Sequence, residues 1–194
     1  MDTGDELASA VTAAQQGLEW GWTQLYRVLA PAVAGYLRAQ EAREPEDLTG
    51  EVFVQAVRSI QGFSGDAAAF RSWIFCIAHN KLVDDSRYRK RRPVEVMAGP
   101  GRDLVHPDRV EDLVLNNLAR ARVRRVILKL TDDQRDVLLL RILGGLTIDE
   151  VARTLGKQPS AVKALQRRGL AIIKRDFPAP AYPFKADRRL PALG

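Results

Sequence analysis

Apolar residues recur along the chain at spacings of three and four. Leu25, Val28, Leu29, Ala32, Val33, Tyr36 and Leu37 form the first such stripe and predict an amphipathic helix. Pro31 stands inside it. An interior proline lacks the backbone donor and costs about 3 kcal/mol, so a kink or break is expected there. Leu48, Val52, Ala56 and Ile60 predict a second helix from about Pro45 to Ile60. The two glycines of Gln61-Gly62-Phe63-Ser64-Gly65 predict a loop. A third helix is expected from near Asp66 to about Arg91, with Phe70, Trp73, Ile74 and Ile77 on its apolar face. Pro93 ends it.

Residues 93–110 hold Pro93, Gly99, Pro100, Gly101 and Pro107 without apolar periodicity, the composition of a flexible linker. Helical patterning resumes at about Glu111 and runs to Lys129. Thr131 with Gln134, and Thr147 with Glu150, each read as a capping box. Between them Gly144-Gly145 is a stop. Ile148, Val151, Ala152 and Leu155 supply the stripe of the short second helix, and Gly156 closes it. Pro159 suits the first position of a last helix that runs to about Asp176. The expected fold is all-α, with two small helical domains at 18–92 and 111–177. An N-terminal extension (1–17) precedes them, the linker 93–110 joins them, and a proline-rich tail (178–194) follows. The tail is expected to be disordered unless a partner holds it. At about 70 residues each, both domains lie near the lower limit for a self-sufficient core.

Composition narrows the function. The chain has 194 residues, 46% hydrophobic and 28% charged, as in a soluble globular protein. No stretch approaches the roughly 20 apolar residues of a membrane span, and the N-terminus lacks the regions of a signal peptide, so no membrane insertion is expected. A single cysteine, Cys76, excludes an internal disulfide and a cysteine-cluster zinc site. Two histidines, His79 and His106, leave little for a metal centre. Neither metal nor cofactor is expected, and the reducing cytoplasm is the expected compartment. Ser64, Ser72, Cys76 and His79 offer no nucleophile with a base and an orienting acid, so no enzyme is expected. The net charge of +6 is unevenly placed. Residues 1–60 carry nine acids and four bases, while residues 61–194 carry 26 bases and 15 acids. An acidic head before a basic majority suggests one polyanionic partner and a second, different one. An incidentally asymmetric solvated surface is the alternative.

Three local patterns carry candidate chemistry. The capped helix pair across Gly156 has helix-turn-helix form. On its second helix Val162, Leu165, Gly169 and Ile173 share one side. Ser160, Lys163, Arg167 and Lys174 share the other, with Arg168 at the flank. Such a basic face suits the major groove, although any amphipathic helix with a basic face would look the same. The end of the third helix, Lys81 to Arg92, holds six bases and two acids. Upstream lie Phe63, Phe70, Trp73 and Phe75, and basic charge beside aromatic rings suits unpaired DNA. Phe70 and Trp73 are equally explained as core, whereas Phe63, in the loop, is less constrained. Finally Glu44, Glu46, Asp47 and Glu51 open the second helix. They favour its dipole in any case, and also suit docking on a basic protein surface.

The order of these patterns resembles the sigma-70 family of bacterial RNA polymerase sigma factors, in its small extracytoplasmic-function type. Pro45-Glu46-Asp47-Leu48-Thr49-Gly50-Glu51-Val52-Phe53 resembles the stretch that docks on the polymerase β′ clamp helices. The segment Phe70 to Asp84 resembles the promoter-melting and −10-reading part. Leu130 to Arg141 and the helix-turn-helix after it resemble the −35-reading domain. The resemblance covers about residues 18–177. It implies a sigma region 2 helical bundle and a sigma region 4 helix-turn-helix domain.

Carried over by position, Glu46, Asp47, Glu51 and Gln55 dock on polymerase. Phe63, Ser64, Asn80, Lys81, Asp84, Arg87 and Arg91 meet the −10 strand, with the loop Gly62–Asp66 receiving a flipped base. Ser160, Lys163, Arg167 and Arg168 approach the −35 element. The implied partners are core RNA polymerase (β′ clamp helices and β flap), promoter DNA and an anti-sigma factor. His79 departs from the family, which often has a base there for phosphate contact. Gly50 costs about 1 kcal/mol against alanine and marks a close approach to the partner. A free-standing helix-turn-helix regulator of duplex operator DNA is the alternative function; it leaves the acidic face unexplained.

Overall fold

The computed structural model describes residues 3–91 and 123–176, with side-chain surroundings for 5–87 and 123–176. The linker 93–110, the start of the helix expected from Glu111, the tail 178–194 and the side chain of Arg91 lie outside the described residues. Within them every regular element is a helix. The helices of the first body are α1 (Thr3–Gln15), α2 (Glu19–Ala39), α3 (Pro45–Ser59) and α4 (Ala67–Arg91), with a 3-10 turn at Ile60–Gly62 between the last two. The second body has α5, described over residues 123–127, then α6 (Asp132–Ile142), α7 (Ile148–Leu155) and α8 (Pro159–Asp176).

Residues 3–15, expected to lie outside the helical body, are a helix packed on it. Ala10, Val11, Ala13 and Ala14 are buried, and Gly21 lets α1 lie against α2. A Cβ at Gly21 would stand 2.6 Å from the Ala14 nitrogen and 2.7 Å from the Ala10 oxygen. The small side chains hid this element from a search for bulky apolar stripes, because alanine packs a close helix pair without supplying one. Pro31 does not break α2, which runs unbroken from Glu19 to Ala39. Pro31 is exposed, and Leu29 and Val33 on either side of it are fully buried. Water can reach the carbonyl that has lost its donor, while burial of the opposite face offsets the cost.

The remaining boundaries follow local chemistry. Pro45 opens α3, and Asp66 caps α4 by accepting from the Ala69 amide at 2.8 Å. Both capping boxes form. The Thr131 hydroxyl accepts from Gln134 N (3.3 Å) and Thr147 from Glu150 N (3.2 Å), and each partner side chain accepts in return. Gly156 closes α7 in the left-handed conformation, φ 61°. Gly169 lets α8 approach α6: a Cβ there would lie 2.6 Å from Leu138 Cδ1.

The two bodies share one apolar core, from Leu25, Val33, Phe70 and Phe75 to Val137, Leu140 and Leu146. Polar contacts line the junction. The Arg71 guanidinium donates to the Leu143 carbonyl at 3.1 Å from Nε, with a second bond of 2.6 Å. Cys76 Sγ and Thr154 Oγ1 are 3.1 Å apart, and Gln40 Nε2 donates to Asp136 Oδ1. Arg135, 8% exposed, donates to the Ile127 and Leu130 carbonyls and approaches Glu41 of the first body at 3.9 Å.

Candidate nucleic-acid interface

On α3 the inward stripe is Val52, Phe53 and Ala56, all buried, with Thr49 also buried and bonded to the Pro45 carbonyl at 2.6 Å. That orientation leaves Glu46, Asp47, Glu51 and Gln55 exposed. Glu46 accepts from Arg38 of α2 (Nε, 3.0 Å), so part of its charge is met within the chain. Between the acids the face also presents Val54 and Val57, about half exposed, which the sequence reading did not single out. Their position off the Leu48–Val52–Ala56 stripe was the available signal.

On α4, Asn80, Asp84 and Arg87 are exposed and follow one another at steps of four and three, so they form one stripe. Asp84 and Arg87 pair across 3.9 Å while both remain largely open to solvent. Lys81 is half-buried and reaches Glu51 Oε2 at 3.0 Å. The acidic face of α3 and the stripe on α4 therefore meet at this ion pair, which spacing in the sequence could not show.

Phe63 is less free than expected. Its ring lies 5.2 Å from Trp73 at a 34° tilt and 5.3 Å edge-on from Phe70. Phe70 is fully buried, as its place on the apolar stripe allowed. Ser64, one residue on, is exposed. His79 is not on a DNA-facing surface: it is buried, and its Nδ1 lies 2.9 Å from the Tyr36 hydroxyl. Burial pushes its pKa down, against the pull of Asp136. Cys76, near the core as its neighbours suggested, has its thiol pushed up by burial.

On α8 the buried positions are Val162 and Gly169, with Leu165 packed against the core. Ser160, Lys163, Arg167 and Arg168 are exposed. Arg168 Nε bonds back to the Ala164 carbonyl at 3.3 Å, and among the described residues no other side-chain bond holds this group of four. Arg153 on α7 is also exposed. Four donors on one helix face, lifted by a capped helix and a left-handed glycine, have the shape and charge for a major groove.

The sigma-70 region 2 family model matches residues 25–92, and the sigma-70 region 4 model matches residues 120–173. SigK of Mycobacterium tuberculosis, an extracytoplasmic-function RNA polymerase sigma factor, is 30% identical over 130 residues, covering 66% of this chain and 70% of that protein. The chain belongs to the sigma-70 family, among its extracytoplasmic-function sigma factors.

BldN of Streptomyces coelicolor, named as a sigma factor of the same type, is 33% identical over 174 residues. That match spans 88% of this chain and 66% of BldN's length. The solved structure of CnrH in complex with the cytosolic domain of CnrY shares the fold, with a TM-score of 0.59 and 23% identity, over 91% of this chain and 99% of that one. Sigma factors are regulatory DNA-binding proteins rather than enzymes. No helix among the described residues of this sigma factor is long and apolar enough to cross a membrane.

Proposed function

We propose that this sigma factor directs core RNA polymerase to promoters by three surfaces used together. The acidic and apolar face of α3 (Glu46, Asp47, Glu51 and Gln55, with Val54 and Val57) docks on the β′ clamp helices. The loop around Phe63 and Ser64, with Asn80, Lys81, Asp84, Arg87 and Arg91, captures the unpaired −10 strand. Ser160, Lys163, Arg167 and Arg168 read the −35 duplex in the major groove, beside the β flap. The observation that carries this reading is the Glu51–Lys81 contact, which makes the polymerase-facing and strand-facing surfaces continuous. DNA melted at polymerase then meets the reading stripe without crossing a gap.

Neither body needs high affinity alone. Polymerase fixes the spacing of the two reading surfaces, and each raises the effective concentration of the other. Base capture offsets unstacking through pocket and stacking contacts, and the chain makes and breaks no bond. It works in the cytoplasm, where an anti-sigma factor holds it inactive by covering the α3 face or the α8 face.

The test is run-off transcription with sigma-free core polymerase on DNA from the protein's own source. New start sites that depend on the protein are the expected result. Specific shifts of duplex fragments by the protein alone, without start sites, would instead establish a free-standing regulator. Tagged protein drawn from unstressed cells with polymerase as its sole companion would sink the anti-sigma part.

A further inference from the structure

The N-terminal helix α1 lies in neither matched family segment, yet it is bonded to the loop expected to take up a flipped base. Gln15, its last residue, donates from Nε2 to the Phe63 carbonyl at 2.9 Å. Gln61 Nε2 donates back to the Gln15 carbonyl at 3.0 Å. These bonds join residues 48 and 46 positions apart in the chain. Both ends of the pair are otherwise fixed. The α1 helix is held to α2 by the close approach at Gly21, and the Phe63 ring is held by Phe70 and Trp73.

The far side of the loop is fixed as well. Gly65 has φ 152°, and a Cβ there would lie 2.7 Å from Ala69 Cβ. Asp66 caps α4. Ser64, exposed, is thus the free rim of a loop anchored on both sides.

We propose that Gln15 is a positioning residue for −10 base recognition, setting the Phe63 carbonyl and the Ser64 rim through α1. This rests on the assignment of the loop as the base-capturing element. A base flipped out of its stack needs a preformed receiver, because each degree of freedom left in the loop must be frozen on capture. The Gln15–Phe63 bond removes one such freedom in the free protein. The role is separate from polymerase docking on α3 and from −35 reading on α8.

The test uses holoenzyme and a promoter mapped with this protein, with each −10 base replaced in turn. Initiation is measured for the wild type, Q15M, Q15K, Q61M and S64V. Met keeps the length of Gln without a donor, whereas Lys keeps a donor. Q15M is expected to lower discrimination at one −10 position about fivefold, the worth of one ordinary hydrogen bond, and to leave −35 discrimination unchanged. Q61M lowers it at the same position by less, and Q15K restores most of it. S64V marks the position that the loop reads.

If S64V shifts discrimination and Q15M does not, the positioning role is overturned and the loop assignment stands. If S64V shifts none, the loop assignment falls and the proposal with it. A uniform loss at all positions with Q15M, together with a lower melting temperature, would make the bond merely structural and overturn the role.

Discussion

On the proposed function, Lys163 and Arg167 are the residues of α8 placed to read sequence. Both are exposed on the face of α8 opposite buried Val162 and Gly169. A lysine or arginine that reaches a base edge contributes about 1–3 kcal/mol of discrimination, whereas one that meets phosphate contributes affinity and salt dependence. K163A and R167A are expected to reduce initiation from the native promoter. Whichever residue reads a base will lose discrimination at one −35 position; the other will weaken all promoters alike and flatten the salt dependence. Competition between promoters with single −35 substitutions, at two salt concentrations, separates the cases. His79 shows the opposite situation at this scale. Its type suggested a weakened phosphate contact, but its side chain is inside, bonded to Tyr36. One residue's identity does not say which way a helix is rotated; the neighbours packed around it do.

At the scale of the element, α3 carries a deliberate-looking weakness. Gly50 sits within the helix, and a Cβ there would meet nothing within 4 Å. Internal packing therefore does not require glycine, and G50A should stabilise the free protein by about 1 kcal/mol through helix propensity. If the α3 face docks closely on polymerase, the same methyl group will obstruct it. The expected outcome is a higher melting temperature together with weaker binding of core polymerase, measured by thermal melting and by competition with another sigma factor. Better melting with unchanged binding would remove Gly50 from the contact. The capped helices α6 and α7 were legible because their signals are local: Thr131 with Gln134 and Thr147 with Glu150 lie three residues apart. The helix α1 was not, since its burial depends on Gly21 and a run of alanines meeting across a turn.

At the scale of the molecule, the two bodies touch through the helix expected to meet DNA. Cys76 of α4 and Thr154 of α7 are 3.1 Å apart. The promoter elements, by contrast, lie about 25 base pairs apart, roughly 85 Å at ~3.4 Å per base pair. If the two bodies read those elements as proposed, engagement requires them to separate, with the Arg71–Leu143 and Gln40–Asp136 bonds lost. Dyes placed on α3 and α8 should show a large fall in energy transfer when core polymerase and promoter are added; an unchanged transfer would contradict the proposed function.

The junction should also respond to pH. Burial lowers the pKa of His79 against the opposing pull of Asp136, so the fold favours its neutral form. Its contribution to stability is full above its ordinary value of 6.5 and is lost as pH falls through the lowered value. Asp136 has the opposite sign: burial raises its pKa, so its contribution is full below its ordinary value of 3.8 and is lost as pH rises through the raised value. D136N keeps an acceptor for Gln40 without the buried charge. It should raise the melting temperature near neutral pH, and H79Q should flatten the loss of stability below about pH 6.5. Melting curves across that range check both signs.

Helix content, the capping boxes, the glycine stops, the charge asymmetry and the family resemblance were all legible in the sequence. Each is carried by residues close together in the chain, where periodicity and side-chain chemistry act directly. Three things were decided only by the tertiary structure. These are the Glu51–Lys81 contact that joins two surfaces, the Gln15–Phe63 bond that ties α1 to the loop, and the closure of the second body on α4. All three join residues distant in the chain, and the faces that meet are chosen by packing of the shared core rather than by any local pattern.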